Sequence, residues 1–305
     1  MKTKLNLFWF RRDLRLIDNH GLYEALQSEL PVLPIFIFDT EILNQLENKE
    51  DKRVDFIFQA LEKLNEYLEK QGKSIQIFYG KPLEIYENLT QKYEIGNVFC
   101  NEDYEPYAIK RDQDIKDFLA SKNINFYQFK DQVIFQKDEI VKADGKPYTV
   151  YTPYSKQWLL KFNDQNLEFF ASEKKLDNLL NIEKQNITLE HIGFKKTNYL
   201  FEPPKINLEI LEKYHETRNL PTKETSQMSV HLRFGTISAR KLVKLASELN
   251  DNTYLKELIW REFFMQILWH FPKVVHHSFK EKYDNIAWEN NEDLFLKWCE
   301  GKTGY

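Results

Sequence analysis

Leu5-Asn6-Leu7-Phe8-Trp9-Phe10 is a short apolar run, stopped at once by Arg11-Arg12-Asp13. Runs of four to eight aromatic or β-branched residues, cut off by a charge or a glycine, read as strands buried in a parallel sheet. Three more follow: Val32–Asp39 (VLPIFIFD), Ser74–Gly80 (SIQIFYG) and Asn97–Asp103 (NVFCNED). Helical periods separate them, at Gly21–Glu29, Val54–Gln71 and Pro82–Tyr93. In the second of these, Phe56, Ala60, Leu64 and Leu68 repeat every four residues and form one apolar face. Pro82 suits a first helical turn. Strand and helix alternating at this spacing predict right-handed crossovers and a doubly wound, Rossmann-like parallel α/β sheet over residues 1–130.

Beyond Ile134 the pattern changes. Residues 131–204 are mixed and polar, with one helix predicted at Pro153–Phe162; the Asn/Lys/Glu-rich stretch 172–200 reads as a surface connector. Past Pro203-Pro204 only helical periods occur: Asn207–Thr217, Ser238–Leu249, Tyr254–Phe271 and Asn291–Cys299. The chain divides on this reading into an α/β domain (1–130), a linker with a helix (131–204) and an all-helical part (205–305). The stop at Gly304-Tyr305 follows no capping or tail composition and leads us to expect an incomplete helical domain.

Composition narrows the function classes. Aromatic residues make up 15% of the chain, which excludes disorder as the main state. Nine glycines and ten prolines in 305 residues exclude collagen-like and linker-rich architectures. The net charge of −4 provides no basic block, so a polyanion partner needs a local patch. Two cysteines, Cys100 and Cys299, form no metal-type spacing and no disulfide scaffold. They point to a reducing, cytoplasmic setting. The apolar run before Arg11 is too short for a secretory signal, and no window is long and apolar enough for a membrane span.

Three segments carry chemistry. Arg11, Arg12 and Arg15 follow the first strand, where open α/β sheets bind ligands; the alternative is a solvated turn paired to Asp13 and Asp18. In Tyr254–Phe271, Leu255, Leu258, Ile259, Phe263 and Ile267 make a core stripe, and Glu257, Trp260, Arg261 and Phe264 an adjacent one. A carboxylate, an indole and a guanidinium on one stripe can hydrogen-bond a base edge, stack a ring and hold a phosphate; the alternative is a Glu–Arg pair beside a core tryptophan. Thr225-Ser226-Gln227-Met228-Ser229 offers hydroxyls and free amides ahead of a helix, which suit a phosphate or a plain cap. The histidines show no helical H-x-x-x-H pair, and no metal site is expected.

Together these segments resemble the photolyase/cryptochrome flavoproteins. Trp9–Asn19 is similar to that family's N-terminal signature. Thr225–Ser229 followed by His231-Leu232-Arg233-Phe234-Gly235-Thr236-Ile237-Ser238 resembles its flavin loop, and Glu257-Leu258-Ile259-Trp260-Arg261-Glu262-Phe263 its DNA-facing helix. Trp298–Tyr305 resembles the start of a further motif of the family.

The resemblance implies an N-terminal antenna domain and a C-terminal helical domain holding FAD. It implies FAD contacts from Tyr214, Thr225, Ser226, Gln227, Met228, Ser229, Tyr254, Glu257 and Arg261. DNA would face Arg218, Glu257, Trp260 and Arg261. Glu257 and Trp260 would act in repair, and Trp288 matches the outer tryptophan of an electron-transfer chain. The implied activity is light-driven splitting of cyclobutane pyrimidine dimers in UV-damaged DNA by electron transfer from reduced FAD, by a monomer. A cryptochrome-type photoreceptor is the alternative. Glu257 favours the dimer photolyases, since the six-four enzymes usually carry Gln and plant cryptochromes Asp at that place. The Asn-Glu pair of the folate-binding members stands here as Tyr107-Ala108, which leaves folate, a deazaflavin and no antenna open. An incomplete helical domain further implies that this stretch alone holds FAD weakly and leaves its last helices under-packed.

Overall fold

The computed structural model describes residues 2–304; Tyr305, the end of the last quoted motif, lies outside them. Five parallel strands form one sheet: β1 (Lys4–Phe10), β2 (Val32–Asp39), β3 (Gln76–Gly80), β4 (Glu94–Asn101) and β5 (Asn125–Phe129), in the order β3-β2-β1-β4-β5. The first strand is therefore central, and the crossovers run outward from it in both directions. Every residue of β2, and all but the first of β1, is buried, as a strand covered on both faces must be. The crossover helices are α1 (His20–Leu26), the one-turn α2 (Thr40–Leu43), α3 (Lys52–Leu68), α4 (Pro82–Lys92) and α5 (Pro106–Ser121). Asn19 and Asp51 cap α1 and α3 with their side chains, and prolines open α4 and α5.

The sequence reading missed α5 and β5. Seven of the sixteen residues of α5 are charged or Gln, and its buried side is reduced to Ala108, Asp112, Ile115 and Leu119. The edge strand β5 is half exposed and carries little apolar signal.

Residues 131–204 divide between two cores. Ile134, Phe135, Ile140, Tyr154 and Trp158 pack with the helical part, through α6 (Tyr151–Asn163). The supposed surface connector instead lies on one face of the sheet: Leu176, Leu179, Leu189, Ile192 and Phe194 are buried against α1 and α3. The Leu180 amide donates to the Val32 carbonyl at 2.8 Å, so the stretch is fastened to β2. Its apolar residues are scattered among polar ones, with no sustained period to reveal them.

The helical part contains α7 (Leu208–Glu212), α8 (Tyr214–Thr217), α9 (Met228–Phe234), α10 (Ala239–Ser247), α11 (Thr253–His270) and α12 (Glu292–Cys299). The predicted helix Asn207–Thr217 is broken at Lys213. Packing is uneven: Tyr254–Phe263 of α11 is buried on its inner face, whereas Leu294, Phe295, Leu296 and Trp298 of α12 are all more than half exposed.

The turn between α9 and α10 presses the two parts together. Gly235 sits there at φ 66°, and a Cβ would lie 2.1 Å from the Arg12 carbonyl oxygen, so only glycine fits. Beside it the Leu14 amide donates to the Phe234 carbonyl at 3.1 Å.

Candidate functional site

The three arginines after β1 end in carboxylates. Arg11 donates to Asp112 at 2.6 Å, and Arg12 reaches Asp103 at 3.1 Å and Glu105 at 2.9 Å. Arg15 pairs with Asp131 at 2.7 Å. Asp131 also receives Arg240 at 2.9 Å, and Arg240 extends to Asp18 at 3.1 Å, joining α10 to the sheet. Burial opposes ionisation of Asp131, but Arg15 and Arg240 outweigh it and hold its carboxyl down at about 2. The sheet's carboxyl edge is thus the buried joint between the two parts. The solvated turn is not found either: Arg15, Asp13 and Asp18 are nearly sealed from solvent.

Next to this joint lies an open cleft of about 460 Å³. Tyr214 of α8, Ser226, Met228 and Ser229 at the start of α9, and Tyr254, Glu257 and Arg261 of α11 all line it. Seven of the residues implied by the resemblance therefore converge from three elements. Gln227 adopts the left-handed backbone region (φ 55°, ψ 16°), a conformation rare for a side chain of its size, and turns the loop into α9. That turn directs Met228 into the core, while Gln227 and Thr225 stay exposed outside the cleft lining and touch each other at 3.4 Å. Tyr254 donates to the Ser226 hydroxyl at 3.3 Å and meets Tyr214 edge to face with centroids 5.0 Å apart.

The charges on α11 do not pair with each other. Glu257 accepts a hydrogen bond from Arg218, so two implied DNA-facing residues meet at the cleft mouth. Arg261 turns inward and donates to the Gln132 carbonyl at 2.7 Å and the Leu232 carbonyl at 3.4 Å. It has no carboxylate partner among the described residues. Burial, with Arg12 and Arg233 nearby, brings it down to about 10.

Trp260 is on the flank of the cleft. Its indole stacks on Tyr151, 3.6 Å between centroids and 6° from parallel, and Phe264 follows at 5.5 Å. Tyr151 donates to the Lys256 carbonyl at 2.9 Å, which locks the pair. Trp288 is 71% exposed in an irregular segment and is not drawn into the cleft.

Sequence reasoning missed Glu262. Its carboxylate accepts from the Ile134 amide (2.7 Å), the Phe135 amide (2.9 Å) and the Trp158 indole (2.7 Å). Burial nonetheless pushes it up to about 7, against those three donors. The side chain clamps α11 to α6 directly behind the cleft. A signal existed: Tyr254, Leu258, Glu262 and Gln266 form one row at four-residue spacing, and all are buried. No group of three or more metal-ligating side chains occurs among the described residues, and none of their helices is long and apolar enough to cross a membrane.

Comparison with known proteins bears on the whole chain. The family model for DNA photolyase matches residues 6–173, and that for the FAD binding domain of DNA photolyase matches residues 254–305. A deoxyribodipyrimidine photo-lyase of Synechococcus sp. is 28% identical over 98% of this chain and 67% of its own length. An archaeal photolyase from Sulfolobus tokodaii, solved with two FAD molecules, is 25% identical with a TM-score of 0.76, over 99% of this chain and 68% of its own. A Synechocystis cryptochrome, 19% identical, shares the fold with a TM-score of 0.80 over all of this chain and 69% of its own.

Proposed function

The chain belongs to the DNA photolyase family, and from that premise we propose that it splits cyclobutane pyrimidine dimers in UV-damaged DNA, using light and reduced FAD. The observation that carries this reading is the convergence of Tyr214, Ser226, Ser229, Tyr254, Glu257 and Arg261 on one cleft. The lining suits a dinucleotide flavin. Tyr254, Met228 and Leu258 offer an apolar wall for a ring system, Ser226 and Ser229 offer hydroxyls, and Arg261 is a half-buried cation with no carboxylate partner among the described residues. Thr225 and Gln227 complete the loop from its exposed side. Bound there in reduced form, FAD supplies the light-driven electron.

The chain's own residues do the rest. A lesion must leave the duplex to be reached, at a cost of a few kcal/mol that damage lowers. Arg218 at the cleft mouth faces a phosphate and holds Glu257 in place. Glu257 accepts a hydrogen bond from a pyrimidine imide. Trp260 stacks on the extruded bases, worth about 1–3 kcal/mol per base. Trp288 would be the outer member of an electron relay to a bound flavin. For the α/β domain, a folate, a deazaflavin and no antenna at all are the three alternatives. The protein acts as a monomer in the cytoplasm, in accord with its two free cysteines.

The test measures binding of a dimer-containing oligonucleotide and repair per absorbed photon. Glu257→Ala lowers repair more than affinity; Trp260→Ala does the reverse. Equal effects on both, or an inert Glu257→Ala, return α11 to a purely structural role. A second reading, a cryptochrome-type blue-light receptor, is favoured by the stacking of Tyr151 on Trp260, which leaves the indole less surface for a lesion. Bound FAD with no dimer repair under blue light selects it.

A further inference from the structure

A second cavity, about 510 Å³, shares no residue with the flavin cleft. Its walls are Ala60, Leu64 and Tyr67 of α3, the segment Leu14–Ile17 after β1, and Phe201–Ile206. The start of α10 closes it, so the turn that carries Arg233 on the cleft side carries Thr236–Ser238 on this side. The volume is that of a small-molecule site, and the lining is mostly apolar, as such sites are.

Two polar groups break the apolar lining. Glu173 lines the cavity, and its Oε2 is buried without a hydrogen-bond partner. A buried carboxylate oxygen left without a donor is unfavourable in a folded protein, so it needs an explanation. Lys241 stands on the rim and has no ion-pair partner among the described residues, whereas the other rim lysine, Lys63, is held by Glu66 at 2.8 Å. An apolar body, one acceptor inside and one free cation at the edge define a complementary shape.

We propose that this cavity binds an amphipathic small molecule: a flat apolar body, an N–H donor directed at Glu173, and an anionic substituent reaching Lys241. The hydrogen bond satisfies the orphaned oxygen, the body covers Leu64 and Ile17, and the anion neutralises the rim. The site stands independently of the flavin reading, since none of its residues touches that cleft.

The probe is 8-anilinonaphthalene-1-sulfonate, which has fused apolar rings, one N–H and one sulfonate, titrated by fluorescence into the full chain. One saturable site is expected. Leu64→Trp fills the cavity and abolishes it, Glu173→Leu weakens it about tenfold by removing the acceptor, and Lys241→Ala weakens it about threefold. Urea midpoints report whether Leu64→Trp folds; if it does not, Glu173→Leu and Lys241→Ala decide. The double variant Phe295→Ser/Trp298→Ser controls for the exposed face of α12 and leaves the saturable site intact. Saturable binding unmoved by Glu173→Leu and Lys241→Ala, or removed by the α12 control, overturns the proposal.

Discussion

The carboxyl edge of the sheet and the cleft on α11 both present arginines, and they use them in opposite ways. At the sheet edge Arg11, Arg12, Arg15 and Arg240 each meet a carboxylate within 3.1 Å. In the cleft Arg261 is almost as deeply placed, yet meets only two backbone carbonyls. Arginine at a ligand-accessible position is therefore a poor guide to a ligand site by itself. What distinguishes the two regions is whether folding supplies the counter-charge. Where it does, the arginine is a joint between two parts of the molecule; where it does not, a cation is left facing a cavity at a cost in burial.

The largest test breaks the joint. Asp131→Asn leaves Arg15 and Arg240 buried with one shared counter-charge fewer. A loss of about 3–5 kcal/mol is expected from urea unfolding, the usual consequence of breaking a buried pair from one side. A loss below about 1 kcal/mol would reduce this network to the level of a surface ion pair.

The next test uses pH to set the two regions against each other. Asp131, held down at about 2, contributes stability that is fully present above pH 4 and is lost as pH falls towards 2. Glu262 has the opposite sign. Its carboxyl is raised from 4.5 to about 7, so the folded chain binds the extra proton, and stability declines as pH rises from about 4.5 through 7. The decline is on the order of 3 kcal/mol. Taken by themselves these two contributions are jointly greatest near pH 4 to 5, and Glu262→Gln should flatten the decline above it. A parent protein with no slope between pH 5 and 7 would show that the three N–H donors, not burial, govern Glu262.

Smaller effects sharpen the cleft side. Tyr151→Ala removes the ring stacked on Trp260 and should cost about 0.5–1.5 kcal/mol beyond lost area. Near-ultraviolet circular dichroism should report a freed indole. Arg261→Met should change stability by no more than about 1 kcal/mol, because relief of a half-buried cation without a carboxylate partner among the described residues offsets two lost hydrogen bonds. Affinity for added FAD should fall in the same variant, measured by titrating flavin fluorescence against the parent chain. Destabilisation as severe as that of Asp131→Asn would place Arg261 with the joint and erase the contrast.

Much of this was legible from local pattern. The four long or strongly apolar strands and the helices α3, α4, α10 and α11 follow from runs and periods that need no partner to be recognised. The helix α5 and the edge strand β5 escaped because their few buried positions are diluted by charge. The stretch 172–200 escaped because its buried residues obey no period; only the sheet face they cover selects them. Glu262 and Gln266 were readable in principle, since they extend a buried row at four-residue spacing.

By itself the amino-acid sequence determined the type of most elements and singled out, as an expectation, a set of residues able to hold a ring, a phosphate or a base. Those are properties of neighbours a few residues apart, where backbone period and side-chain type suffice. Only the tertiary structure decided which charges were already spent. Arg11 finds Asp112 across 101 positions, and Arg240 finds Asp18 across 222, whereas Arg261 finds no carboxylate among the described residues. Coulomb attraction and desolvation act on distances that exist only after the chain has closed, and no spacing in the sequence encodes them.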